Sequence, residues 1–250
     1  MAVFKDISYG APKELFRTLD IYLPQKEHFD VFLYFHGGGF VCGDKADVGP
    51  IADYLTSRGI AVVSANYRIG TGVRWPGYIQ DAAAAVAWAM KHLPEYGQCG
   101  KFYVGGSSAG GYLSMMLCFN RQYLEPYGIH PTDIAGYIHD SGQPTAHFSV
   151  LEAKGLHPDR IIVDETAPLF YVGLEPRYSP MLILIADQDI GNRYEQTLLL
   201  VSTLKQFKIP PEDIVLKVMH GLHCQHTGAL DENGESITGR LIDEFIRQHP

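Results

Sequence analysis

The sequence predicts an α/β fold: a mostly parallel sheet of about eight strands with helices on both faces. Three observations predict it. Apolar strand-like runs alternate with helix-like runs through most of the chain. The pentapeptide Gly106-Ser107-Ser108-Ala109-Gly110 stands between one such strand and one such helix. Three consecutive glycines, Gly37 to Gly39, directly follow another apolar strand. Strands of this kind, alternating with helices, make a parallel sheet that is covered on both sides. Such sheets bind ligands beyond the carboxyl ends of their strands.

The elements follow in order. Val3 to Tyr9 and Leu19 to Leu23 read as two short strands, and Val31 to Phe35 as an apolar one. Ile51 to Ser57 reads as a helix and Ile60 to Ala65 as a buried strand. Asp81 is placed as N-cap of an alanine-rich helix, Ala82 to His92, which Pro94 follows. Phe102 to Val104 leads into the pentapeptide, and Gly111 to Phe119 continues as a helix. Ile134 to His139, Met181 to Ala186 and Ile214 to Met219 are further strands; Tyr194 to Phe207 and Thr238 to Gln248 are helices. Gly142 to Ser179 breaks the rhythm with four prolines and several aromatic residues. Loops of that length are uncommon unless functional or locally structured. It reads either as an insertion over the active site or as a surface excursion with a short helix at Ser149 to Lys154.

At 250 residues the chain is long enough for one α/β domain with a sizeable core, and residues 1–250 are taken as that domain. A net charge of −8 and the lack of a basic stripe argue against a nucleic-acid partner. No apolar run approaches membrane-spanning length. Met1 to Phe4 runs straight into Lys5 and Asp6, so no targeting leader is expected. Cys42, Cys99, Cys118 and Cys224 show no C-x-x-C spacing, so reduced thiols and a cytoplasmic location are expected.

Acyl transfer needs a nucleophile, a base, an orienting acid and donors for an oxyanion, and each has a candidate. Ser108 is central in the G-x-S-x-G frame, whose context is that of a nucleophile elbow. The rival frame around Ser107 ends in Ala109, which puts a methyl where the turn wants none. Gly38 and Gly39 leave backbone amides uncovered, so these two, with the first helical amide at Ala109, can face one oxygen. No G-K-[ST] follows the glycine run, which disfavours a phosphate-cradling loop. His36 precedes the turn and is read as structural. Asp189 is the choice for the acid, with Asp187 as rival. His223 is the choice for the base, between His220 at the strand end and His226 further along. The i, i+3, i+6 histidine spacing also raises zinc, but no H-E-x-x-H pattern accompanies it, and no metal is expected. Cys42 and Cys224 are read as packing residues.

With these pieces in place the sequence resembles the α/β-hydrolases. It is most similar to hormone-sensitive-lipase-like esterases and to the acetyl-xylan and feruloyl esterase group. The matches are His36-Gly37-Gly38-Gly39-Phe40, Asn66-Tyr67-Arg68, Trp75-Pro76 with Asp81, Gly106-Ser107-Ser108-Ala109-Gly110-Gly111, Asp189, and His220-Gly221-Leu222-His223. The resemblance implies an α/β-hydrolase fold, an Arg68–Asp81 ion pair beneath the glycine loop, and a serine carboxylesterase that needs no cofactor. Short, acetyl-type esters of plant-derived sugars or aromatic acids are the implied small-molecule substrates. An arylformamidase-type amidase and a non-catalytic small-molecule receptor are the alternatives. The sequence departs from the larger lipase-like members by starting almost at once with a strand, without their N-terminal helical cap. Ser107 and Ala186 also stand where many relatives have Asp and Gly. A missing cap leaves substrate enclosure to Gly142 to Ser179 or to a second subunit, so a homo-oligomer stays open.

Overall fold

The computed structural model describes residues 1–10 and 16–249. Eight strands form one sheet: β1 (Ala2–Ser8), β2 (Thr18–Leu23), β3 (His28–Phe35), β4 (Ile60–Ala65), β5 (Gln98–Ser107), β6 (Gly136–Asp140), β7 (Met181–Gln188) and β8 (Ile214–Leu222). Their spatial order is β1-β2-β4-β3-β5-β6-β7-β8. β1 and β2 are antiparallel to their neighbours. Every other pairing is parallel. The helices are α1 (Gly49–Ser57), α2 (Gly77–His92), α3 (Ala109–Phe119), α4 (Phe148–Ala153), α5 (Arg193–Gln206) and α6 (Ile237–Gln248).

The strands alternate their side chains between two apolar layers, as period-2 geometry requires. Val31, Leu33 and Phe35 of β3 join α2, α3 and α5 on one face. Phe32 and Tyr34 join Ile51 and Leu55 of α1 and Ile242 and Phe245 of α6 on the other. Both faces are therefore buried, which explains why the central strands read as continuous apolar runs.

All the expected strands and long helices are present, with shifted ends. β5 runs on through Ser107 because Gly105, Gly106 and Ser107 pair with Ile138, His139 and Asp140. Asp81 is not an N-cap. α2 begins at Gly77, with Pro76 in the capping position. A proline suits the start of a helix because the amide it lacks would have no intrahelical partner there. Asp81 instead sits inside α2, 1% exposed, and accepts from Arg68 Nε at 2.7 Å and Nη2 at 2.8 Å. The implied Arg68–Asp81 pair is therefore formed, with Arg17 Nε a further 3.4 Å contact. Between β6 and β7 the chain carries α4 and a 3-10 turn at Pro168–Tyr171. That turn segment packs against α3, where Tyr112 Oη donates to the Thr166 carbonyl at 2.6 Å.

Candidate active site

Ser108 occupies the sharp turn between β5 and α3 with φ 55° and ψ −111°. A side chain held there costs about 1–3 kcal/mol and needs surroundings that enforce it. Close backbone approach enforces it. A Cβ at Gly106 would lie 2.5 Å from the Phe35 carbonyl oxygen, and one at Gly110 would collide with the same atom. Glycines at both positions let β3 run against the elbow.

The glycine loop leaves β3 directly after His36. Gly38 has φ 103°, and a Cβ there would collide with the Cys42 carbonyl. The turn closes through Val41 and Cys42 amides donating to the Gly38 carbonyl. Among the described residues no acceptor pairs with the backbone N–H of Gly38 or Gly39. His36 is structural: its ring stacks on Tyr67 at 4.4 Å, and Tyr67 Oη donates to its carbonyl at 2.8 Å. Burial lowers its pKa.

Three expected residues come together in one line. His223 Nε2 is 2.8 Å from Ser108 Oγ, and its Nδ1 is 2.6 Å from Asp189 Oδ1. Asp189 is the first residue past β7, and His223 the first past β8. Parallel neighbouring strands end side by side, so both loops arrive at the same rim. Burial tends to raise the Asp189 carboxyl, but the His223 hydrogen bond and the Ile190 amide outweigh it and hold the group below the usual carboxylate range. An anion at Nδ1 selects the tautomer whose Nε2 accepts the serine proton. A cleft of about 550 Å³ holds Ser108 and His223 together with Gly37, Gly38, Gly39 and Phe148. Ala109 is buried at the first position of α3, where its amide has no intrahelical partner.

The rivals lie elsewhere. Ser107 Oγ turns away and donates to Asp140 Oδ2 at 2.6 Å. Asp187 pairs with His220 at 2.8 Å on the surface. His226 Nε2 meets Asp140 Oδ1 at 2.7 Å. Each of the three histidines thus faces its own aspartate rather than a common point. Cys224 Sγ lies 3.6 Å from His223 Nε2, and burial pushes its thiol well up. Cys42 is exposed, not packed, with its thiol 3.4 Å from the Gly38 carbonyl. Its amide closes the tight turn, and the turn leaves its side chain on the exposed side.

Several supporting residues escaped sequence reasoning. Ser149 Oγ on α4 donates to the Gly39 carbonyl at 2.7 Å. Arg193, 3% exposed, donates to the Ser141 carbonyl and to Gln143 Oε1. Gln143 Oε1 also accepts from the Phe148 amide. A buried arginine at a helix start carries no motif; only its burial marks it. Asp140 carries no sequence signal either, since its place beside the elbow follows from the register between β5 and β6.

Comparison with known proteins finds esterases. Residues 19–128 match the BD-FAE family model. Esterase LipI of Mycobacterium tuberculosis is 36% identical over 96 residues, which is 38% of this chain and 30% of that protein. Probable carboxylesterase 7 of Arabidopsis thaliana is 34% identical over 128 residues, 45% of this chain and 40% of that one. The chain thus spans less than half the length of these relatives. A truncated carbohydrate esterase from gut microbiota superposes with a TM-score of 0.80 at 19% identity, covering 100% of this chain and 96% of that one. The fold is that of the α/β-hydrolases.

Proposed function

We propose that this α/β-hydrolase is a serine carboxylesterase that cleaves short-chain, acetyl-type esters through an acyl-enzyme. The observation that carries this reading is the unbroken line Ser108 Oγ–His223 Nε2–His223 Nδ1–Asp189 Oδ1 at 2.8 and 2.6 Å, facing the glycine loop. The esterase names of the relatives support it.

Ser108 Oγ attacks the ester carbonyl carbon while His223 Nε2 takes its proton. The carbonyl oxygen becomes an oxyanion that accepts from the amides of Gly38, Gly39 and Ala109; one such donor is worth roughly 2.7–4 kcal/mol of barrier. Collapse breaks the bond to the alcohol oxygen, which leaves with the proton from His223. Water then attacks the acyl-serine, giving up a proton to His223, and His223 passes that proton to Ser108 Oγ as the acyl–oxygen bond breaks and the carboxylic acid departs.

In this reading residues 1–250 work as one catalytic domain, and the segment from Gly142 to Ser179 forms part of its cover. Phe148 narrows the cleft beside Gly39, where an added Cβ would lie 3.1 Å from its ring. That constriction favours small acyl groups. Beyond Val41 lies a second cavity of about 460 Å³ walled by Phe40, Val73, Trp75 and Tyr78, with room for a bulky sugar or aryl portion of a larger ester.

The test is hydrolysis of p-nitrophenyl acetate, butyrate and octanoate together with covalent labelling by a fluorophosphonate. Acetate turnover and a label on Ser108 are expected. An enzyme that cleaves a formyl-anilide but none of the esters would replace this reading with the amidase one, and a protein that neither labels nor turns over any of them would end both.

A further inference from the structure

We propose that Asp140 is a positioning residue: its buried carboxylate ties the loop that carries His223 to the elbow that carries Ser108. The inference rests on the esterase reading and concerns how that site is held together.

Asp140 is the last residue of β6 and 1% exposed. It pairs in register with Ser107 on the neighbouring strand. Its backbone carbonyl accepts the Ser108 amide at 2.7 Å. Its carboxylate accepts from Ser107 Oγ at 2.6 Å through Oδ2. Tyr34 Oη donates to that same serine hydroxyl at 3.2 Å, so the single Ser107 proton is left for Asp140. The residue holding Ser108 and the residue before it is therefore the same one.

The second half of the contact set comes from the base loop. His226 Nε2 meets Asp140 Oδ1 at 2.7 Å, and Thr227 Oγ1 donates to Oδ2 at 2.7 Å. These residues stand three and four positions after His223. Thr238 Oγ1 at the start of α6 holds the His226 carbonyl from the other side at 2.9 Å. Nucleophile and base are thus each a few bonds from a shared anchor. Burial alone would raise the Asp140 carboxyl, but the donors from His226, Ser107 and Thr227 reverse this and keep it below the usual range. A carboxylate is suited to the place because it accepts up to about four hydrogen bonds and donates none. Asparagine would turn an amide N–H toward either the imidazole or the two hydroxyls.

Proton transfer between Ser108 and His223 depends steeply on their separation: a 1 Å misplacement costs on the order of a hundredfold in rate. Loosening the anchor should therefore lower kcat and leave substrate binding alone. The experiment compares kcat and KM for p-nitrophenyl acetate in wild type, His226→Leu, His226→Gln and Asp140→Asn, each checked for a folded state by circular dichroism. His226→Leu and Asp140→Asn are expected to lose about tenfold or more in kcat with KM within about twofold. His226→Gln, whose amide can occupy the place of Nε2, is expected to stay within about threefold of wild type. If Asp140→Asn does not fold, the two His226 variants decide the matter. A smaller kcat loss in His226→Leu, a loss carried by KM, or a glutamine variant as impaired as the leucine one would overturn the proposal while leaving the esterase reading standing. Absence of wild-type turnover would instead overturn that reading, and the positioning role with it.

Discussion

Ser149 Oγ donates to the carbonyl of Gly39 across 2.7 Å, so α4, from the long segment between β6 and β7, braces the loop that faces Ser108. The bond fixes the peptide plane next to an amide assigned to the oxyanion. Ser149→Ala leaves that carbonyl without its donor, a net loss of about 1 kcal/mol. We expect kcat for p-nitrophenyl acetate to fall about three- to tenfold, and Ser149→Thr to recover most of it. Wild-type kcat in Ser149→Ala would show that the loop holds its shape unaided.

Ser108 and Ser107 are neighbours with opposite partners: one faces His223, the other Asp140. Ser108→Ala should lower kcat by at least about 10⁴-fold. Ser107→Ala removes one donor to Asp140 and should cost far less. Mass spectrometry of fluorophosphonate-treated protein should place the label on Ser108 alone; a label on Ser107 would mean that the elbow has been read in the wrong frame.

Two aspartates two residues apart each pair with a histidine, Asp189 in a buried contact and Asp187 in an exposed one. Asp189→Asn removes the anion that sets the His223 tautomer and should cost about 10⁴-fold in kcat. Asp187→Asn alters an exposed pair with His220, of a kind that solvent screens, and keeps an oxygen that can accept the Gly221 amide, so it should leave kcat within about twofold. Steady-state kinetics of the two variants side by side decide which carboxylate serves the base, and equal losses would remove the distinction drawn here.

His139 lies within β6 and is fully buried, its Nδ1 2.8 Å from Ser114 Oγ, and burial pushes it down to about 3. Burial lowers His36 and His147 as well. The folded-state value lies below the unfolded one of about 6.5. Stability is therefore full above about pH 6.5 and falls as the pH drops from there toward 3, because only the unfolded chain takes the proton. One such group contributes a slope of up to about 1.4 kcal/mol per pH unit. Urea unfolding at pH 7, 5.5 and 4.5 should show a shallower decline for His139→Asn than for wild type. Parallel declines would mean that His139 titrates normally in the folded protein.

Much of this was legible in the primary structure. The strand runs at Val31 to Phe35 and Met181 to Ala186 are apolar on both faces, so they stood out without any knowledge of their neighbours. Gly38 and Gly106 to Gly110 were legible for a related reason: tight turns and close backbone contacts exclude side chains, and glycine records that directly. The resemblance brought in the Arg68–Asp81 pair, but the helix start at Gly77 was missed because Trp75-Pro76-Gly77 looks like a turn when read locally.

Local chemistry along the chain was enough to single out Ser108 and the glycine loop as candidates and to narrow the base to three histidines, because each needs a particular residue type next to a particular strand end. It could not say which aspartate serves which histidine. His220, His223 and His226 are equivalent in a linear reading; the ends of β6, β7 and β8 separate them by bringing Asp140 and Asp187 to the outer two and Asp189 to His223 alone. Nor could it show that Ser149 and Asp140 hold the site, since hydrogen bonds spanning 110 and 86 residues exist only after the sheet has closed. Spacing reports contacts within one turn or one strand pair, whereas the convergence of distant loops is a property of the register between strands.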